Sequence, residues 1–244
     1  VFAYLVRLTE PLPDRADGLP GWWTDVSPNG APSADFPGGH GNHGMSHGIA
    51  APLTLLALGL QRGITVNGHI EAIDRLCAWL DTWAQDDPTG PWWPGYITLD
   101  QARQGHTEQS SRQRPSWCYG TTGLARAQQL TGLATGDTIR RRTAEAAMLA
   151  CLHDPVQLGR ITEPGLCHGT AGILQTTCRM AADAATPELA AKLPNLTARL
   201  LKQLRTATDD PELLDGHTGV ALALHTAGTG TVPLTSWDAF LLLA

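Results

Sequence analysis

The sequence has no long basic run, no dense cysteine pattern and no long apolar run, and each absence excludes a class of protein. Lys192 and Lys202 are the only lysines among 17 basic residues, which are outnumbered by 23 acidic ones. A chain with a net charge of −6 and no long basic run lacks the surface on which binding to nucleic acid phosphates depends. The sequence therefore predicts no nucleic acid partner.

The five cysteines are an odd number and are widely spaced over 244 residues. They do not resemble the disulfide framework of a small secreted domain. No apolar stretch reaches the roughly 18 residues that a membrane-spanning helix needs, and the N-terminus lacks the features of a signal peptide. We therefore expect a soluble, cytoplasmic protein in which residues 1–244 form a single domain with a substantial core.

A repeated pattern, a turn with glycine followed by an apolar helix, organises the chain. It begins at Ser46 ("SHGIAAPLTLLALGL"), Cys118 ("CYGTTGLARAQQL"), Cys167 ("CHGTAGILQTTCRMA") and Asp215 ("DGHTGVALALHTA"). The intervening segments, such as "HIEAIDRLCAWLDTWAQDD" and "DTIRRRTAEAAMLACLHD", are amphipathic at helical spacing. Glycine-led helices that are apolar almost all round suit an inner layer, and helices with one charged face suit an outer layer.

This alternation predicts an all-α fold in which helix hairpins stack side by side in two layers, because one hairpin cannot cover its own apolar surface. Sustained period-2 alternation is nearly absent, so we expect very little β-sheet. One insertion, "DDPTGPWWPGYITLDQARQGHTEQSS", interrupts the pattern. Its proline and tryptophan content predicts an irregular loop with exposed aromatics, and Trp92, Trp93 and Tyr96 are candidates for one wall of a substrate groove.

The turns place chemically active side chains just before the glycines. Because such turns lie at the same end of a hairpin array, we expect His47, Cys118 and the pair Cys167–His168 to converge there. Thiols at helix N-termini have lowered pKa values. Two thiolates and an imidazole are a ligand set of catalytic zinc with an open fourth position. The alternative is that Cys118 and Cys167 are buried apolar residues.

Other residues that resemble site residues have simpler explanations. His43 and His47 have the spacing of a zinc-protease helix, but Gly44 stands where that motif needs glutamate, and His47 could be a hydrogen-bonded structural histidine. Arg114 could meet an oxyanion or a carboxylate near the site. Residues left outside the predicted site are Asp215 and His217 as a helix cap and a surface residue, and Cys77, Cys151 and Cys178 as core residues.

The motifs "SHG" at Ser46, "WCYG" at Trp117 and "CHG" at Cys167, with the closing "SWDAFLLLA", together resemble the lanthipeptide cyclases of the LanC type. The resemblance implies an α/α toroid of seven hairpins with zinc at one end of the barrel. With glycine-led helices for four hairpins, the chain resembles the C-terminal portion of such a cyclase, and an incomplete ring is expected. No position matches the aspartate that the family takes from an earlier repeat.

Carried over to this sequence, the resemblance makes Cys118, Cys167 and His168 the ligands of Zn²⁺, His47 the acid/base and Arg114 a residue that steadies the substrate. The implied reaction adds cysteine thiols of a dehydrated precursor peptide to dehydroalanine or dehydrobutyrine, which forms the thioether rings of an antibiotic peptide. A dehydratase, separate or fused, is the implied partner. Peripheral membrane association through a biosynthetic complex would also be compatible with that role.

Two other functions fit parts of the pattern. A Cys/His hydrolase would use Cys118 or Cys167 as nucleophile and His47 as base, and would need no metal. A related zinc protein would bind a thiol compound such as glutathione without closing rings.

Overall fold

The computed structural model describes residues 1–12, 18–107, 109, 112–206 and 210–244. Its helices are α1 (Phe2–Leu8), α2 (Ala50–Gln61), α3 (His69–Thr82), α4 (Leu99–Gln104), α5 (Thr121–Thr135), α6 (Thr138–His153), α7 (Pro155–Gly159), α8 (Thr170–Asp183), α9 (Leu193–Leu204) and α10 (His217–Thr229). Short 3₁₀ helices cover Ala190–Lys192 and Trp237–Leu241. The strands are β1 (His40–Asn42), β2 (Gln85–Asp87), β3 (Gly90–Trp92) and β4 (Tyr96–Thr98).

The helices form two layers, as the sequence predicts. The glycine-led helices α2, α5, α8 and α10 pack one on the next, and α3, α6 and α9 cover α2, α5 and α8 from outside. Helix α5 is buried on every side from Thr121 to Gly132, whereas outer helix α9 buries only Leu196 and Leu200. The difference follows from the sequence, because a helix inside a ring touches protein on all faces and an outer helix on one.

No helix in the part of the chain that the structure describes is both long enough and apolar enough to cross a membrane.

The insertion differs from the prediction. Strands β2 and β3 form an antiparallel hairpin, β4 pairs with β1, and α4 starts with a capping box between Thr98 and Gln101. Trp92 and Trp93 are 4% and 3% exposed, so the expectation of exposed tryptophans is wrong. Strand β3, which ends at Trp92, packs on α6, and Trp93 belongs to the main hydrophobic core. Glu108, Ser110 and Ser111 of the insertion lie outside the described residues.

The C-terminal segment is hydrogen-bonded to the inner helices. Trp117 Nε1 donates to Leu241 O at 2.9 Å, and Arg126 on α5 donates to Leu243 O through Nε and Nη2. Fully buried Asp238 accepts from Arg179 Nη2 and Nε on α8, at 2.5 and 2.7 Å. These bonds connect the chain end to α5 and α8, the helices that follow Cys118 and Cys167.

Removing Asp238 should destabilise the fold strongly. Asp238→Ala leaves the Arg179 guanidinium buried without its counter-charge, and breaking one partner of a buried pair costs about 3 kcal/mol or more. The matched control is Asp81→Ala, which removes the more exposed partner of Arg140 and should cost about 1 kcal/mol or less. Urea unfolding of both variants measures the difference, and equal losses would contradict this role of Asp238.

Candidate metal centre

Each turn before an inner helix has a glycine packed against a carbonyl oxygen of its own turn. A Cβ atom on Gly120 would lie 2.2 Å from Arg114 O, and one on Gly216 would lie 2.4 Å from Asp210 O. Gly120 also has a φ of 101°, a backbone conformation that other residues rarely adopt. Only glycine therefore fits this position. The tight turn at Gly120 fixes the position of Cys118, two residues earlier, relative to α5.

Backbone hydrogen bonds connect the turns in sequence. Cys118 N donates to Cys167 O at 3.2 Å, and Cys167 N donates to Leu214 O at 2.9 Å. Ser46 N makes the corresponding bond to Cys118 O at 3.4 Å. These residues occupy equivalent positions two residues before the glycines, so the turns are aligned at one end of the inner layer. The predicted convergence is confirmed for this part of the chain.

Alignment brings Cys118, Cys167 and His168 together. One possible ligand atom from each residue lies within 4.8 Å of those of the other two. Cys118 is buried, and Cys167 and His168 are partly exposed, so the cluster is accessible from outside the ring. Two sulfurs and one imidazole fit a zinc ion that keeps an open coordination position.

The two thiols differ in acidity because they share a proton. A hydrogen bond from the Cys167 thiol, supported by Ser116, lowers the pKa of Cys118 to about 6, although burial acts in the opposite direction. Cys167 is the donor, and this hydrogen bond and burial raise its pKa. The pKa of Cys118 is therefore lowered, as expected, but through hydrogen bonds and nearby positive charges and not through the helix N-terminus, and the expectation of a lowered pKa for Cys167 is wrong. A divalent cation would displace the shared proton, because metal binding requires thiolates.

Two carboxylates that the sequence analysis did not place in the site flank His168. Glu163 Oε2 lies 2.8 Å from His168 Nε2, and Asp215 Oδ1 lies 3.6 Å from His168 Nδ1. Asp215 does not cap α10 with its side chain, contrary to the expectation. The repeat register could have found it, because Asp215 occupies in the fourth turn the position that His168 occupies in the third.

His47 and Arg114 line two different cavities of the described structure. The exposed His47 ring lies 6.1 Å from the Tyr119 ring, centroid to centroid, and lines a cavity of about 500 Å³ with His40 and Asn42. Arg114 is also exposed and lines a separate cleft. Its positive charge contributes to the low pKa of Cys118.

The hydroxyl of Tyr119 accepts a hydrogen bond from Asn42 Nδ2 at 3.1 Å. This bond holds the Tyr119 ring, which lies beside His47. Asn42 and Tyr119 are 77 residues apart in the chain, and no sequence pattern indicates their contact.

The remaining candidates are structural. His43 is buried, its Nδ1 lies 2.7 Å from Pro94 O, and its Nε2 accepts from Trp79 Nε1 at 2.8 Å; burial lowers its pKa to about 4. Cys77, Cys151 and Cys178 are buried in the core. Their burial confirms that they are core residues, and it raises their pKa values to about 11, 12 and 11.

The fold and the cluster define a two-layered ring of helix hairpins with a candidate Cys₂His metal centre at one end. A family model described as "Lanthionine synthetase C-like protein" matches residues 27–242, and the chain belongs to this family. The structure of a nisin cyclase matches with a TM-score of 0.85 and 20% sequence identity, over 99% of this chain and 59% of that chain. No curated protein matches the sequence.

These comparisons confirm the predicted family and the α/α toroid. The chain spans 59% of the nisin cyclase chain, in agreement with the expected incomplete ring.

Proposed function

We propose that this protein is a zinc-dependent cyclase of dehydrated peptides, which adds cysteine thiols to dehydroalanine or dehydrobutyrine and so forms lanthionine or methyllanthionine rings. The observation that carries the proposal is the Cys118–Cys167–His168 cluster, with its possible ligand atoms within 4.8 Å of one another. Membership of the lanthionine synthetase C-like family supports it. The substrate would come from a dehydratase that removes water from serine and threonine.

Cys118, Cys167 and His168 would hold the zinc ion, which when bound lowers the pKa of a substrate cysteine and favours its thiolate. Glu163 Oε2 lies 2.8 Å from His168 Nε2. With Nε2 as the donor of this contact, Nδ1 would be the nitrogen that holds the metal. The bond from Cys118 N to Cys167 O fixes the two cysteine turns relative to each other. The backbone would thus position the two residues whose sulfurs hold the metal.

His47 and Arg114 have roles in the carbon chemistry of this proposal. Attack of the thiolate sulfur on the β-carbon of the dehydro residue forms the C–S bond and moves the π electrons onto the carbonyl as an enolate. Arg114 stabilises that negative charge, and protonated His47 donates a proton to the α-carbon. The proton that the substrate thiol loses replaces the one that His47 donates, so atoms and charges balance without an oxidant and the product has the mass of the substrate.

Incubation with a dehydrated, cysteine-containing peptide tests the function. The thiols of the peptide should become inaccessible to an alkylating reagent while its mass stays constant, and a chelator should stop the reaction. Alkylation of the peptide at the rate seen without protein would contradict the cyclase function. A protein that contains zinc and binds glutathione but closes no rings would instead be the thiol-binding protein. Cleavage of a peptide or ester that continues in the presence of a chelator would indicate the hydrolase.

Glu163 should affect the metal without contacting it. Glu163→Gln weakens the acceptor that orients His168, and partners of this kind typically change metal affinity by about 10- to 100-fold. The matched control is Glu188→Gln, because Glu188 is a fully exposed glutamate outside the site. Zinc affinity measured by competition with a chromogenic chelator should fall for the first variant and stay unchanged for the second. Equal affinities would show that Glu163 does not position His168.

A further inference from the structure

A polar cleft of about 830 Å³ opens beside Arg114. Strand β4, helix α4, the segment 112–114 and Arg160 contribute to its wall. Among the described residues that line it, Asp35 is the acidic one, against Arg112, Arg114 and Arg160. The cleft therefore has an excess of positive charge next to the candidate metal centre.

Arg112 is held in the wall of this cleft by hydrogen bonds that leave one nitrogen of its guanidinium without an acceptor in the described part of the chain. Its side chain is 6% exposed, and its Nη2 donates to Asp87 Oδ1 at 2.9 Å and to Gly90 O at 2.6 Å. Its buried Nη1 has no hydrogen-bond partner among the described residues. Buried donors are nearly always paired, so this unused guanidinium nitrogen is a point at which an acceptor would be favourable.

The other two arginines add exposed charge. Arg160 Nη1 donates to Arg112 O, which anchors its guanidinium beside Arg112. Within the described parts of the chain, neither Arg114 nor Arg160 forms an ion pair with a carboxylate. A guanidinium presents several donors in a plane and binds a carboxylate through two of them.

We propose that this cleft binds a side-chain carboxylate of the substrate peptide and so selects cysteines that have an aspartate or glutamate nearby. The inference rests on the proposed function, because it takes the peptide to run from the cleft to the metal centre. Arg112 and Cys118 are six positions apart in the chain, a span of at most about 20 Å. The acidic residue therefore lies within about six extended residues of the reacting cysteine.

Peptide binding tests this without any reaction. The probes are fluorescein-labelled, C-terminally amidated peptides. Serine replaces the reacting cysteine, and alanine replaces the dehydro residue. In each pair of peptides, one position near this serine carries aspartate in one peptide and asparagine in the other, and this position is moved along the chain from pair to pair. At one or more positions, the wild-type protein should bind the aspartate peptide about fivefold more tightly than the asparagine peptide. High salt should remove the preference, and this measurement needs no variant.

Variants locate the effect. Arg160→Gln should abolish the preference, and Arg160→Glu should favour a lysine peptide instead. Arg142→Glu, at an exposed arginine on α6, should leave the preference unchanged. Equal binding of aspartate and asparagine peptides by wild-type protein, or a preference that survives Arg160→Gln, would overturn the proposal. A preference for the free C-terminal acid over the amide, with none for aspartate, would overturn it in favour of a C-terminal carboxylate.

The two proposals fail differently. Wild-type protein that binds zinc and closes rings but shows no aspartate preference contradicts only the carboxylate site. A protein with the preference but without zinc or ring closure contradicts only the cyclase function.

Discussion

Cys167→Ala protein is expected to keep its fold, lose its zinc and close rings at least roughly a hundredfold more slowly. Zinc binding to small protein sites contributes about 10–16 kcal/mol shared among its ligands, so one thiolate is worth on the order of 3 kcal/mol. Cys167 N and Cys167 O make the backbone bonds to Leu214 and Cys118, and alanine retains both. The substitution therefore removes the sulfur and leaves the turn intact. Zinc content and alkylation-monitored ring closure measure the two losses.

Cys77→Ala is the matched control. Cys77 is buried in the core, and its thiol has a raised pKa. Its removal should lower the stability of the fold somewhat, while zinc content and ring-closing activity stay unchanged. Loss of zinc in both variants, or in neither, would contradict the assignment of Cys167 as a ligand.

His47→Ala is expected to reduce the rate of ring closure by about 10²- to 10⁴-fold, the usual contribution of a positioned general acid, while zinc content stays at the wild-type level. The exposed ring is held near Tyr119 and is not part of the Cys118–Cys167–His168 cluster. Its loss therefore removes proton transfer and not metal binding. Single-turnover measurements of ring closure, with zinc measured in the same preparation, separate the two effects.

The control for this prediction is His225→Ala, which removes an exposed histidine on α10 and should leave the rate unchanged. A His47→Ala protein with wild-type activity would show that another group donates the proton. Loss of zinc together with activity would place His47 among the ligands.

The sequence was sufficient for the architecture because the inner and outer helices differ in composition. Helix α5 carries few charges and is buried from Thr121 to Gly132, while α9 has a narrow apolar stripe. Convergence of Cys118 and Cys167 also follows from the repeat, since equivalent positions in stacked hairpins must face the same end. The metal role of these residues remains a prediction.

The insertion and the surroundings of the site could not be predicted in the same way. Burial of Trp92 depends on packing between β3 and α6, a tertiary contact that local composition does not encode. The capping box at Thr98 and Gln101 was a readable signal for α4. The turn between Glu163 and His168 brings their side chains into contact. A glutamate five residues before a histidine is not a recognisable sequence pattern.

The metal content and ligand set of the purified protein test the central claim most directly. Elemental analysis combined with zinc X-ray absorption should find about one zinc per chain, with two sulfur and one nitrogen ligands from the protein. Protein that takes up no zinc when it is supplied, or zinc whose spectrum lacks sulfur neighbours, would contradict the account.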